Sequence, residues 1–277
     1  MFFEKRSWLI IIIFIFVFLV HLPQAHAGLR VKEGLTREFT VSTSDTIDKK
    51  ISIENTGNEP QDVKVYLRDY FYNREGITKY REPGTTYRSN ADWIQLNPEK
   101  AVTVPPQSET NINYTINVPD DDGLYGTYWS MIMVEPEEAI ELLEDPEGGI
   151  EVQTGIRQIS RYGVQIRTNI GDTGTEKLSV MDTRVIQTSE EGKTYLELDL
   201  ENKGERWFRI ELRSEFYDKE GYLKTKVEGP SASLYPGTSV RRRMEITDID
   251  PGDYQVLVIF EGREDQVWGA RYNLSIE

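Results

Sequence analysis

The chain repeats itself. Ile51-Ser-Ile-Glu-Asn55-Thr-Gly57, Val63 to Arg68 and Phe71-Tyr-Asn-Arg-Glu-Gly76 are answered by Leu198-Asp-Leu-Glu-Asn202-Lys-Gly204, Phe208 to Arg213 and Phe216-Tyr-Asp-Lys-Glu-Gly221. The correspondence continues. Val104-Pro105-Pro106 precedes alternating Ile112, Tyr114 and Ile116, and Leu234-Tyr235-Pro236-Gly237 precedes Val240, Met244 and Ile246. Gly126-Thr127-Tyr128 and Gly252-Asp253-Tyr254 each lead into a strongly apolar run. Order and chemistry agree at every step, so the sequence reads as a tandem duplication of a unit of about 100 residues.

The unit is β. Apolar residues recur with period two, which puts every second side chain on one face of a strand. Asn-x-Gly at 55–57 and 202–204 ends a strand in each copy, where Asn and Gly tolerate the positive φ of a turn. Tyr128 and Tyr254 are placed as tyrosine corners, hydroxyls bonded back to backbone at the end of a sandwich. The expected fold is all-β: two tandem immunoglobulin-like β-sandwich domains, at 28–160 and 161–277, behind an N-terminal signal peptide. The first copy carries an insert around Tyr80 to Trp93, and the stretch from Glu135 to Glu147 is acidic without a base, a solvated loop.

Residues 1–27 have the layout of a secretory address: Glu4, Lys5 and Arg6, an apolar run from Trp8 to Val20, and the small-x-small exit Ala25-His26-Ala27. The run is shorter than the about 20 apolar residues that span a bilayer, so cleavage after Ala27 is expected, with no transmembrane segment left in the mature chain. Removal takes away His21 and His26, the only two histidines, and the chain has no cysteine. Disulfides, thiolate metal sites, serine–histidine triads and histidine bases then drop out. A net charge of −15 argues against nucleic acid, whose phosphates require clustered Lys and Arg.

Ser89-Asn-Ala-Asp-Trp93-Ile-Gln-Leu-Asn-Pro98, taken with Val104-Pro-Pro, Val118-Pro119 and Gly126-Thr-Tyr128, resembles the first domain of periplasmic pilus-assembly chaperones and their chaperone-like relatives. The resemblance covers roughly residues 29–170. The second unit matches only as a generic immunoglobulin-like domain. The resemblance implies two sandwiches meeting in an L, a basic pair in the cleft that grips the C-terminal carboxylate of a client, and a last strand of the first domain that completes the client's sheet. By position it implies Arg37 as the first-strand cation and Arg161, or else Arg157, as the last-strand cation. The sequence departs from that pattern. Gln158 and Ser160 interrupt the apolar row expected of a donor strand, and the loop before it is acidic.

Other constellations carry less. Asp120-Asp-Asp122-Gly123 lacks the spaced second set of acids of a calcium loop. Trp93, Trp129, Trp207 and Trp268 could line a sugar platform, although the first two sit within strand patterns. Arg241 and Arg243 share one strand face and are expected to meet an acidic patch on the first domain. The expected function is a non-enzymatic, exported cell-envelope protein of the periplasm or cell surface, without metal or cofactor. It binds another exported or surface polypeptide through a strand edge and the interdomain cleft. The alternative is a structural or adhesive module in contact with cell-wall glycan or neighbouring surface proteins.

Overall fold

The computed structural model describes residues 28–97, 101–137, 160–188 and 192–276. Residues 1–27, expected to be a signal peptide, residues 138–147 of the loop expected at Glu135 to Glu147, and Arg157 lie outside the described residues, whereas Glu135 to Glu137 continue a strand.

In the first unit the strands are β1 (Leu29–Val31), β2 (Thr36–Val41), β3 (Thr46–Asn55), β4 (Gln61–Tyr72), β5 (Thr78–Arg81), β6 (Ile94–Asn97), β7 (Ala101–Val104), β8 (Ser108–Asn117), β9 (Gly126–Glu137) and β10 (Tyr162–Ile170). In the second they are β11 (Leu178–Thr188), β12 (Lys193–Asn202), β13 (Phe208–Tyr217), β14 (Leu223–Leu234), β15 (Ser239–Glu245), β16 (Gly252–Glu261) and β17 (Val267–Ile276). The first sandwich stacks a sheet ordered β1-β3-β8-β6 on one ordered β2-β10-β9-β4-β5, with β7 also on β4. The second stacks β11-β12-β15 on β14-β13-β16-β17. The protein is therefore two tandem immunoglobulin-like β-sandwiches, each with its own core. Ile51, Ile53, Ile112, Ile116, Ile132 and Ile166 fill the first, and Leu196, Leu198, Phe208, Phe216 and Phe260 fill the second, all with almost no exposure.

The boundary expected at 160/161 moves. Strand β10 lies between β2 and β9, so it belongs to the first sheet, and the change of unit falls in the 171–177 connection. The first chain segment also changes sheet: β1 pairs antiparallel with β3, then β2 pairs parallel with β10. At the crossing Gly34 takes a φ of +78°.

Asn55 and Asn202 act differently from the turn role expected of them. Neither Gly57 nor Gly204 takes a positive φ. Instead each Asn side chain is fully buried and makes the same three bonds. Asn55 Nδ2 donates to Glu59 O (2.8 Å) and Val104 O (3.0 Å), and its Oδ1 accepts from Gly57 N (2.8 Å). Asn202 Nδ2 donates to Arg206 O (2.8 Å) and Leu234 O (3.1 Å), and its Oδ1 accepts from Gly204 N (2.8 Å). One amide thus satisfies backbone groups from two connections that would otherwise be buried without partners. Gly204 is needed for close approach: a Cβ there would stand 2.1 Å from Thr175 O. Of the two tyrosine corners, Tyr254 is one, its hydroxyl donating to Asp250 O (2.8 Å). Tyr128 instead sets its ring 4.7 Å from that of Trp93.

Replacing Asn202 by Ala removes three bonds and strands two carbonyls and the Gly204 N–H. The expected cost is about 2–4 kcal/mol, read as a fall in the urea midpoint of the second unit, with Asn55→Ala acting equally on the first. An Asn202→Ala protein as stable as the parent contradicts the account.

Candidate functional site

The two sandwiches meet through aromatic rings. Tyr70 of β4, Trp129 of β9 and Tyr235, which follows β14, form a buried cluster, with Tyr72, Met131 and Trp207 packed against it. The Trp129 and Tyr235 ring centroids are 4.8 Å apart, and Trp129 Nε1 donates to Tyr70 O (3.0 Å). Backbone closes the joint. Thr127 N donates to Glu205 O (2.9 Å), and Trp207 N donates to Thr127 Oγ1 (3.0 Å). Gly126, with a φ of +72°, allows this approach, since a Cβ on it would lie 2.2 Å from Glu205 O. From the tip of the β4–β5 hairpin, Arg74 N donates to Ser239 Oγ (3.0 Å), and Tyr72 Oη donates to Ser233 O (2.7 Å).

Beside this plug opens a cleft of about 990 Å³ whose walls come from both units. Six arginines line it: Arg74, Arg167, Arg209, Arg241, Arg242 and Arg243. Arg167 is the innermost and is 5% exposed. Its guanidinium carbon sits 3.4 Å from the centroid of the Trp207 ring, Nη1 donates to the Tyr235 hydroxyl (3.1 Å), and Nη2 forms an ion pair with Glu38. Burial pushes the Glu38 carboxyl up. The charge and hydrogen bond of Arg167, with the hydrogen bond from Asn169 and the charge of Arg263, together outweigh that, so the acid is held below its ordinary value. Asn169 Nδ2 donates to the other Glu38 oxygen (2.8 Å) and ties the pair to the joint, because Asn169 Oδ1 accepts from Thr127 Oγ1 (2.6 Å).

The expected basic pair is not assembled. On β2, Glu38 stands opposite Arg167 and Arg37 stands opposite Ile166. Side chains alternate across a strand, so Arg37 faces away from the cleft, close enough to Tyr114 to act on its hydroxyl. Arg37 Nη1 donates to the carbonyls of Glu33 (2.6 Å) and Gly34 (3.0 Å), and Nη2 pairs with the Glu33 carboxylate (3.0 Å). It fastens the crossover between the two sheets. Arg161 shares the face of Arg167 but lies at the opposite end of the strand, five positions from the partner of Arg37, roughly 16 Å at strand spacing. It is 58% exposed and pairs with Glu135 Oε1 (3.1 Å), whose Oε2 accepts from the Tyr66 hydroxyl (2.6 Å). The first unit's buried cation in the cleft is Arg167, which lay unmarked within an otherwise ordinary strand sequence. Counting its parity from the buried Val164 and Ile166 was the signal that could have found it.

Neither Arg241 nor Arg243 forms an ion pair with an acid of the first unit among the described residues, although Glu75 of that unit acts on Arg241 electrostatically. Their partners lie on the adjacent strand β12. Arg241 grips Asp199 with two bonds (2.7 and 2.9 Å), and Arg243 Nε donates to Glu197 (2.6 Å). The first unit contributes a cation instead, Arg74, 3.5 Å from Asp199. Hydrogen bonding from Arg241 is the foremost reason that Asp199 is held below its ordinary pKa. The four tryptophans considered as a sugar platform pack within the protein: Trp93 and Trp129 are buried, Trp207 lies under Arg167, and Trp268 stacks on Phe208 (5.2 Å). Asp120 accepts from the Ser44 hydroxyl (2.7 Å), and Asp121 accepts from Gly123 N (2.8 Å) in an exposed turn. Among the described residues no helix is long and apolar enough to cross a membrane.

No protein-family model matches the chain, and no curated protein matches it. Among solved structures it is similar to pilus chaperones. A class 5 fimbriae chaperone, CfaA, aligns over 90% of this chain and 100% of its own, at 10% identity and a TM-score of 0.46. A chain from a chaperone–tip adhesin complex of CFA/I fimbriae aligns over 89% and 98%, at 11% identity and a TM-score of 0.46. A third, from the CsuC–CsuE chaperone–tip subunit pre-assembly complex of archaic Csu pili of Acinetobacter baumannii, aligns over 90% and 98%, at 12% identity and a TM-score of 0.44.

Because its folded-state pKa is depressed, Asp199 contributes stability that is complete above its unfolded-state value of about 3.9 and is lost as the pH falls through the lower folded-state value. Asp199→Asn should therefore be less stable than the parent at neutral pH, by about 2–3 kcal/mol. The two urea midpoints should converge below about pH 4. A gap that persists undiminished into acid would contradict this.

Proposed function

We propose that the protein is a non-enzymatic, exported, chaperone-like protein of the cell envelope that holds another polypeptide by strand addition along β10 and into the cleft. One observation carries this reading. The pairing of β2 with β10 begins only at Thr36 opposite Gln165, so the start of β10, Tyr162 to Val164, has a strand neighbour only on its β9 side among the described residues. Gln165 N donates across the open side to Leu35 O (2.8 Å). By the two-residue period, the N–H and C=O of Gly163 face the same way and, among the described residues, have no strand partner there. On the sheet face, a Cβ at Gly163 would stand 2.9 Å from Met131 Sδ, the far part of a flexible side chain. The cleft is continuous with this edge, since Thr36 and Gln165 both line it. Such an edge supplies affinity through main-chain bonds, and alternate side chains of the guest supply selectivity. Arg161 lies on the same edge, where a client carboxylate would take the place of Glu135. Arg37 is given no contact with the client, its donors being committed to the crossover.

Gly163→Pro removes the open-edge donor and spares the β9 ladder, since proline is tolerated on a strand edge whose N–H faces away from its neighbour. Wild-type protein incubated with envelope extract should retain polypeptide. The variant, with unchanged circular dichroism, should retain less than a tenth as much. Equal retention by the two proteins, or no polypeptide retained by the wild type, sinks the reading.

A further inference from the structure

Two guanidinium groups converge on one serine in the wall of the cleft contributed by the second unit. Arg242 Nε donates to the carbonyl of Ser231 (2.9 Å), and Arg209 Nη2 donates to its hydroxyl (2.6 Å). Arg209 has a carboxylate within reach, Glu211 at 3.2 Å. Arg242 has none among the described residues. Its other protein bond goes to a neutral group, the Arg241 carbonyl (2.9 Å). A guanidinium carries five N–H donors, so most of those of Arg242 remain uncommitted. Burial lowers its pKa without bringing it near deprotonation. A partly desolvated cation beside a second cation, without a counter-charge, is an unfavourable arrangement unless an anion visits it.

Two further donors at the same cleft lack partners. Arg167 is 95% buried by its 5% exposure, and its Nε makes no hydrogen bond; Trp207 Nε1, under the same guanidinium, makes none either. Both residues line the cleft with Arg209 and Arg242. The remaining cations there are better matched, Arg241 and Arg243 by Asp199 and Glu197, and Arg74 by Asp199.

We infer that the Arg242–Arg209 wall is a subsite for carboxylate side chains, and that the polypeptide held by this protein is acidic along the segment that enters the cleft. The inference rests on the strand-addition reading, because it is the extended guest on β10 that is delivered to this wall. Carboxylates suit the planar guanidinium fork. In an extended segment the side chains on one face recur about every 6.6 Å, so acids at alternate positions would meet successive guanidinium groups. The chain's own charge adds discrimination. At −15 overall, the protein repels an acidic segment from most of its surface and admits it at this cleft.

The test uses two fluorescein-labelled ten-residue peptides, one alternating valine with glutamate and the other alternating valine with glutamine, titrated by anisotropy at low salt. The glutamate peptide should bind at least tenfold more tightly. Arg242→Gln should abolish that advantage and leave the glutamine peptide's affinity unchanged. Arg209→Gln, at a more exposed position, should reduce the advantage and serves if Arg242→Gln folds poorly. Equal binding of the two peptides to the wild type overturns this inference and leaves strand addition standing, provided that Gly163→Pro weakens both. Binding of neither peptide overturns both readings. Inorganic polyphosphate that displaces the glutamate peptide at equal charge concentration overturns the assignment to a polypeptide.

Discussion

The parallel pairing of β2 with β10 decides what this molecule presents to a partner. Its register sets Glu38 against Arg167 deep in the cleft, and its late start leaves the first residues of β10 without a strand neighbour on one side among the described residues. Both features follow from the first segment spending Leu29 to Val31 in the other sheet before it crosses over. The crossover is fixed by Arg37, which ties down the carbonyls of Glu33 and Gly34. An arginine that looks like a ligand grip in sequence is thus the fastening that makes the open edge possible. A strand edge is an aggregation hazard when long and flat. Here it is short, and Arg161 at its start supplies the charge that discourages indiscriminate pairing.

Much of the fold was legible because a duplication shows each strand twice. The period-two apolar rows located the strands and their inward faces, and Asn55 and Asn202 marked equivalent points in both copies. What those asparagines do was not legible. A turn residue and a buried triple hydrogen-bonder have the same one-letter pattern, and only the connections brought around by distant chain, Glu59 and Val104 or Arg206 and Leu234, reveal the second role. That Arg37 and Arg161 do not share one cleft was not legible for a related reason. Position along a strand and parity across it are separate coordinates. Arg37 has the right position and the wrong parity, whereas Arg161 has the right parity and the wrong position. Arg167 satisfies both, but its partners Trp207 and Tyr235 come from the second unit, some tens of residues away in the chain.

Charge shows the same limit. The acidic total says what the surface repels on average, and it conceals a cleft where arginines gather. Most of these are held by carboxylates that cannot leave. Glu197 and Asp199 are each 2% exposed, and they lie on the outer face of β12, roofed over by Arg184, Arg241 and Arg243 and, from the first unit, Arg74. A buried acid with several cationic partners anchors geometry more than it adds net stability, since desolvation offsets most of the attraction. Arg74 extends that network across the junction. The two units are therefore joined by an ion pair at the hairpin tip, an aromatic plug at the centre and a backbone bond at Gly126–Thr127, three contacts of different physical kinds.

That redundancy bears on how the cleft can work. A binding groove between two domains is weakened when its walls must first be brought together, because the guest then bears the ordering cost. Aromatic packing alone would permit sliding of one unit on the other. The backbone bond from Thr127 to Glu205, through a position where only glycine fits, fixes distance, and the Trp207 ring clamped beneath Arg167 fixes orientation. The uncommitted donors of Arg242 are then held in place before any guest arrives, while Arg167 Nε and Trp207 Nε1 stay buried within the joint. A joint this heavily constrained supports a preformed groove in which recognition comes from the guest's side chains, and it gives hinge motion little part in the act of binding.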